Sequence, residues 1–211
     1  MKIKHFNDLS KWKSQCPTKK DYQVNVLVCN GTSCLSSDSE VMTEMLKKEV
    51  EKKGINADIR IVKTGCFGFC GQGPIIKIEP DNVTYVQVKV EDIEEIINNH
   101  LMNHMIIDRL LYKEPNQTEA ENHGPGMNFY KKQKRVALRN CGEIDPENIE
   151  DYIANDGYMA LADVLQNKTQ EEVIDIVKKS GLRGRGGGGF PTGFKWGYTR
   201  REKADEKFII C

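Results

Sequence analysis

Two pairs of cysteines, each placed directly behind a short apolar run, constrain this chain more than any other feature. "VNVLVCNGTSC" carries Cys29 and Cys34 at C-x4-C spacing, "ADIRIVKTGCFGFC" carries Cys66 and Cys70 at C-x3-C spacing, and 31 residues separate the pairs. Both runs read as strands, the second alternating with Ala57, Ile59 and Ile61 on one face. In an α/β fold the loops behind such strands emerge at one edge of the sheet, so four thiols can converge there. A helix lies between the strands. Ser37 and Glu40 in "SDSE" occupy capping-box positions, Val41, Met42, Met45, Leu46 and Val50 recur at helical spacing, and Lys52, Lys53 and Gly54 close it.

The rest of the chain extends this pattern. "IIKIE" and "VTYVQV" flank Pro80-Asp81-Asn82 and read as a hairpin. A helix from Val90 to about Leu101 then places Ile93, Ile96, Ile97 and Leu101 on one face. The β-α-β-β-β-α order over residues 21–101 gives one small α/β domain, and its strand order resembles the thioredoxin fold. Residues 1–20 read as a polar helix and arm. Residues 102–130, which end in the polar, Pro- and Gly-bearing "YKEPNQTEAENHGPGMNFY", read as a linker. From 131 to 211 the chain turns helical. Asp145-Pro146-Glu147 opens one helix, a second runs from about Tyr158 to Leu165, and Thr169 with Glu172 caps a third that ends at Gly181. A glycine-rich stretch follows, and "KFIIC" reads as the start of a strand.

Composition narrows the function classes. At 211 residues the chain holds one or two domains, and 31 basic residues balance 31 acidic ones, so no overall positive field argues for nucleic acid. No apolar segment approaches the roughly 20 residues that span a bilayer. The first residues lack the apolar core of a secretory signal. A cytoplasmic location is expected, and in that reducing setting clustered cysteines point to metal or redox chemistry rather than disulfides.

The four clustered cysteines admit three readings. They could be buried free thiols, although two close pairs in glycine-bearing loops argue against it. They could bind zinc, whose usual knuckles are C-x2-C. An iron–sulfur cluster accounts for more: its sulfides accept N–H bonds, which Gly65, Gly68, Gly71 and Gly73 can supply, and Phe67 and Phe69 can exclude water. A thiol–disulfide exchanger would need C-x-x-C, which this chain lacks. C-x4-C behind the first strand and C-x3-C behind the second resemble the thioredoxin-like [2Fe–2S] ferredoxins, found as the E subunit of complex I and as front domains of related hydrogenase subunits. That resemblance implies a [2Fe–2S] cluster on Cys29, Cys34, Cys66 and Cys70.

"SGLRGRGGGGFPTGFKW" (180–196) carries the second signal. It starts at a capped helix, is interleaved with Arg183, Arg185 and Lys195, and runs into apolar sequence. A passive linker needs none of these. Glycine lets backbone N–H groups approach a phosphate, and arginine and lysine add charge-assisted bonds to it. The stretch, with "LRNCGEIDPENIEDYIANDGYMAL" before it, looks like the flavoprotein (F) subunit of complex I and its homologues in NAD(P)-linked hydrogenases and formate dehydrogenases. The resemblance implies that Gly184, Arg185, Gly186, Gly187 and Lys195 hold FMN, with Phe190 and Tyr198 stacking near NAD(P)H. Family members more often have Ala at the position of Gly188 and Phe at that of Tyr198.

In that family an acidic segment and a later domain with a [4Fe–4S] cluster follow. Neither is in this sequence, so the expectation is an α/β chain whose ferredoxin domain precedes an incomplete FMN-binding domain. The implied function is electron transfer between NAD(P)H, FMN and iron–sulfur clusters in an NAD(P)H-linked oxidoreductase. Its expected partners are the other subunits of a hydrogenase, formate dehydrogenase or complex I-like assembly. The competing expectation is a [2Fe–2S] carrier with no catalysis of its own.

Overall fold

In the computed structural model the described residues are 6–113, 130, 132–206 and 208. They divide into two compact units, Ser14–Asn155 and Met1–Lys13 together with Asp156–Cys211. Helix α1, Phe6–Gln15, matches the expected polar helix.

The Ser14–Asn155 unit is built on a four-stranded sheet of order β2-β1-β3-β4, with β1 at Val24–Cys29, β2 at Ile59–Thr64, β3 at Ile76–Glu79 and β4 at Val83–Tyr85. β1 runs parallel to β2, with Cys29 opposite Thr64, and antiparallel to β3, which pairs antiparallel with β4. The continuous apolar run of β1 suits a central strand covered on both faces. One face sends Val26, Val28, Ile76, Ile78 and Tyr85 into the main core, against Met42, Leu46 and Val50 of the crossover helix and Ile93, Ile96 and Ile97 of the later one. The other face carries Leu27, Cys29 and Val62 into a second cluster with Cys34 and Phe67. Within the main core the Tyr85 hydroxyl meets His100 Nδ1 at 2.6 Å and accepts the Ile107 N–H at 3.1 Å; burial pushes its pKa up to about 12.

Several local expectations are corrected. A short helix α2, Thr32–Leu35, precedes the crossover helix α3, Ser39–Lys52, and Ser37 serves that first helix by donating to the Ser33 carbonyl. Asp38 at φ 64° is therefore the N-cap of α3, no Ser37–Glu40 box forms, and Glu40 pairs with Lys63 at 2.5 Å. Helix α4 starts at Asp92, not Val90, and after Glu95 widens into a π-helical stretch, Ile96–Leu101. β4 ends at Tyr85, because Gln87 adopts φ 50° and the Val86 N–H turns to the Leu110 carbonyl. That bond exposes a second correction: residues 102–113, expected as the start of a linker, bury Ile107, Leu110 and Leu111 in the core. The remainder of the expected linker, 114–129, lies outside the described residues.

Residues 132–155 pack on the second face of the sheet, although the domain boundary was expected near 130. Thr64 Oγ1 donates to the Ile144 carbonyl at 2.9 Å, and Arg60 on β2 forms a buried ion pair with Asp151. Helix α5, Ile149–Ala154, is capped by Asn148, whose side chain accepts from the Glu150 N–H; Asp145 closes the turn before it by accepting from Glu147. The expected start at Asp145 therefore moves inward by one turn.

The second unit holds α6, Met159–Asn167, α7, Gln170–Lys179, and α8, Thr192–Arg201. The Thr169–Glu172 capping box of α7 forms as expected. α8 was not expected; Gly193 and Gly197 weigh against a helix by propensity. Packing explains one of them: a Cβ on Gly193 would stand 2.6 Å from the Lys178 backbone nitrogen. Of the strand expected at 207–211, only Phe208 is described. Among the described residues no helix is long and apolar enough to cross a membrane.

Candidate metal centre and glycine loop

β1 ends at Cys29, and α2 then carries Cys34, so both thiols are buried, each 2% exposed. β2 ends at Thr64, and the loop behind it carries Cys66 and leads into a 3-10 turn, Cys70–Gln72. Backbone bonds from Cys29 N–H to the Ile75 carbonyl (3.0 Å) and from Asn30 N–H to the Thr64 carbonyl (2.9 Å) tie the two loops together. Their approach leaves little room for a side chain at two positions. A Cβ at Gly31 would lie 3.3 Å from Cys66 Sγ, and one at Gly73 would lie 2.8 Å from Cys34 Sγ. Gly68, at φ +82°, turns its N–H onto Cys66 Sγ at 3.2 Å. Cys66 and Cys70 sulfurs stand 3.8 Å apart.

The electrostatics favour thiolate at Cys29 and oppose it at Cys34 and Cys66. The Cys29 thiol is lowered to about 6, first by the hydrogen bond from Cys34 and, against the cost of burial, by the N–H groups of Gly31 and Phe67. Cys34, the partner that keeps its proton, is pushed up by that same bond and by burial, while the Ile75 N–H pulls it the other way. Burial raises Cys66, opposed by the Gly68 N–H. Backbone donors thus point at three of the four sulfurs, which is the environment a charged sulfur cluster gains from. Among the described residues no three His, Cys, Asp or Glu side chains meet where a single ion would sit. A two-iron cluster shares its four thiolates between two metals, and two thiol pairs lined by N–H donors fit that demand. Phe67 is buried beside them, and Phe69 packs edge-on to Tyr112 at 5.0 Å.

Sequence reading missed what covers this loop. Cys141 comes to within 3.5 Å of where a Gly65 Cβ would be, and Gly142, at φ +80°, passes so close to the Phe67 ring that a Cβ would stand 2.7 Å from it. Tyr130 donates its hydroxyl to the Phe67 carbonyl at 3.1 Å. Nothing in the local pattern marks these residues, since their partners lie some 60 to 80 positions away in "VKTGCFGF".

The glycine stretch forms a closed loop. Gly184 N–H donates to the Phe190 carbonyl and Thr192 N–H to the Leu182 carbonyl, both at 2.9 Å, and Arg183 Nε donates to the Gly189 carbonyl at 2.6 Å. Gly187 (φ +116°) and Gly189 (φ +57°) need the freedom that only glycine has at no cost. Gly184, Arg185, Gly186, Gly187 and Phe190 all lie exposed in this loop, at the N-terminus of α8, while Lys195 and Tyr198 lie exposed on α8 itself. Arg185 and Lys195 have no ion-pair partner among the described residues. Exposed N–H groups, a helix N-terminus and two uncommitted cations are what a phosphate-bearing cofactor requires.

Comparison with known proteins adds four findings. Residues 11–101 match the thioredoxin-like [2Fe-2S] ferredoxin family. The chain is 35% identical over 77 residues to the 2Fe-2S ferredoxin of Clostridium pasteurianum, covering 36% of this chain and 76% of that one. It is 63% identical over 81 residues to the NADP-reducing hydrogenase subunit HndC of Solidesulfovibrio fructosivorans, covering 38% of this chain and 16% of that one. To the F 2 subunit of NADH-quinone oxidoreductase of Rhizobium meliloti it is 42% identical over 76 residues, covering 36% and 18%. The chain therefore spans less than a fifth of the length of those two larger relatives.

Proposed function

Because this chain belongs to the thioredoxin-like [2Fe–2S] ferredoxin family, we propose that it is the electron-relay portion of an NAD(P)H-linked oxidoreductase. Cys29, Cys34, Cys66 and Cys70 hold the [2Fe–2S] group, and the glycine loop is one wall of an FMN site. Gly184, Arg185, Gly186, Gly187 and Lys195 take the flavin and its phosphate, and Phe190 and Tyr198 face the nicotinamide of NAD(P)H. When bound, FMN would supply conversion between two-electron hydride and single-electron chemistry, and the [2Fe–2S] group would supply a one-electron site. The protein's own work is to favour the thiolate at Cys29, aim the N–H groups of Gly31, Phe67, Gly68 and Ile75 at sulfur, and keep water out with Phe67. The partners are the other subunits of a hydrogenase, formate dehydrogenase or complex I-like assembly, and any [4Fe–4S] cluster belongs to them or to the rest of a longer subunit. Similarity both to a hydrogenase subunit and to an F-type subunit of NADH-quinone oxidoreductase supports this placing.

The observation that supports the reading is the close packing of the two cysteine loops, with Gly31 against Cys66 and Gly73 against Cys34 Sγ. Anaerobic reconstitution of the full chain tests it. Two irons and two sulfides per chain are expected, with a visible spectrum that bleaches on one-electron reduction, and FMN fluorescence is expected to quench on titration with the chain. A colourless chain holding zinc would overturn the cluster assignment. A coloured chain that leaves FMN fluorescence unchanged would reduce the reading to a cluster carrier.

A further inference from the structure

We propose that a cavity beside the Cys66 loop is a binding site for a small oxyanion, a phosphate or carboxylate group. The cavity measures about 300 Å³ and lies between the second face of the sheet and the covering segment 132–155. That volume is at the lower end of the range for small-molecule sites. Its walls include Phe67, Lys77, Thr84, Arg135, Arg139 and Glu143, so three cations face one carboxylate.

Each cation has a different degree of freedom. Lys77, largely buried, is held by Glu79 at 2.6 Å and stands 3.9 Å from Glu143. Arg135 donates to the Cys141 carbonyl at 2.9 Å and lies over the Tyr130 ring at 5.2 Å, which fixes its guanidinium, and it has no ion-pair partner among the described residues. Arg139 has no ion-pair partner among the described residues. A guanidinium presents two parallel N–H groups, the geometry that phosphate and carboxylate match.

The floor supplies the independent observation. Thr84, cross-strand partner of Lys77, is 4% exposed, and its hydroxyl has no hydrogen-bond partner among the described residues. Leaving a buried hydroxyl unpaired costs about 1–3 kcal/mol. On the opposite face of β4, Val83 and Tyr85 fill the main core. A valine would serve Thr84's place better unless something in the cavity used the hydroxyl. An oxyanion held by Arg139 accepts the hydrogen bond that the Thr84 hydroxyl donates; water is the alternative.

Because Phe67 is next in sequence to Cys66 and walls the cavity, an anion there adds negative charge beside the proposed cluster. It is expected to lower the reduction potential. Binding itself does not depend on the cluster reading; only this second readout does. The test uses the full, cluster-loaded chain with inorganic phosphate and, separately, acetate as probes, titrated calorimetrically against chloride at constant ionic strength. Saturable binding of at least one probe is expected, and whichever binds tighter names the group. Arg139→Gln should weaken it roughly tenfold or more, the loss of one charged hydrogen-bonding partner. Thr84→Val should weaken it several-fold. The bound anion should lower the midpoint potential of the native chain, and Arg139→Gln should abolish that shift. No saturable heat with either probe, or equal affinity in native chain and Arg139→Gln, would overturn the proposal and leave water as the partner of Thr84. Arg139 is exposed, so its replacement leaves a folded chain even if Thr84→Val does not. Binding with an unchanged potential would keep the site and count against the cluster beside it.

Discussion

The chain contains two glycine-rich loops, and glycine serves opposite purposes in them. Around the cysteines it makes room for neighbours inside the protein: Gly31 meets Cys66, Gly73 meets Cys34 and Gly142 meets Phe67. In the stretch behind Leu182 it leaves room for something from outside, since a Cβ on Gly186, Gly187 or Gly188 would meet nothing within 4 Å. The first loop is closed around sulfur by the fold itself. The second is closed by two backbone bonds and the Arg183 side chain and has no covering residues among those described. Glycine content therefore says little; what stands where the Cβ would be separates a self-contained site from one wall of a shared site.

The same substitution in both loops gives the sharpest test and the largest expected effect. Gly73→Ala places a methyl 2.8 Å from Cys34 Sγ, so the sulfur must move, and most of the iron and acid-labile sulfide should be lost from the reconstituted chain. Gly186→Ala should leave metal content and folding unchanged. If Gly186→Ala also weakens FMN quenching, the space at that glycine is used by the flavin. If Gly73→Ala retains a full complement of iron, the tightness of the cysteine loops is not what holds the cluster.

Much of the first loop was legible in the sequence because its determinants are local. Strand, turn and thiol follow one another within a dozen residues, and helix spacing between Met42 and Val50 fixed the crossover. What covers the site was not legible. Cys141, Gly142 and Tyr130 reach it from far along the chain, and the polar composition of residues 112–130 suggested that everything beyond belonged elsewhere. Ile107, Leu110 and Leu111 were hidden for a related reason: three buried side chains in a short irregular segment show no period. The capping box expected at Ser37 failed because a four-residue helix, too short to announce itself, took its serine. In the second loop the glycines themselves concealed α8, because propensity counts Gly193 against a helix while packing requires it.

The next test asks whether 132–155 really belongs with the cysteine loops. Asp151 is 4% exposed, pairs with Arg60 and accepts the Asp145 N–H at 2.9 Å. Removing one member of a buried ion pair strands the other and typically costs about 3–5 kcal/mol. Asp151→Ala should lower the denaturant midpoint of the Ser14–Asn155 unit accordingly, and protection of the β2 amides from hydrogen exchange should fall with it. Arg60→Met combined with Asp151→Leu should recover much of the loss, because no charge is then left buried. A small effect, on the order of 0.5 kcal/mol as at exposed pairs, would separate this segment from the sheet and restore the boundary near 130.

The smallest effect concerns the support beneath the second loop. α8 leans on α7 at Gly193, where a methyl would meet the backbone nitrogen of Lys178 at 2.6 Å and its Cα at 2.9 Å. Those atoms belong to another helix and cannot yield without moving it. At Gly197 a methyl would find Ile174 Cγ2 at 3.8 Å and the flexible end of Lys178, its Cε at 4.0 Å, both ordinary contacts. Alanine gains up to about 1 kcal/mol over glycine inside a helix, whereas overpacking costs about 1–3 kcal/mol. The two terms predict opposite signs within one helix. Gly193→Ala should speed hydrogen exchange of α7 and α8 amides by roughly five- to thirtyfold, the equivalent of about 1–2 kcal/mol, and Gly197→Ala should slow it. If both slow it, the helices are not held at the separation that Gly193 permits. The position of the loop would then rest on its own two backbone bonds, and the contrast between the two loops would become wider.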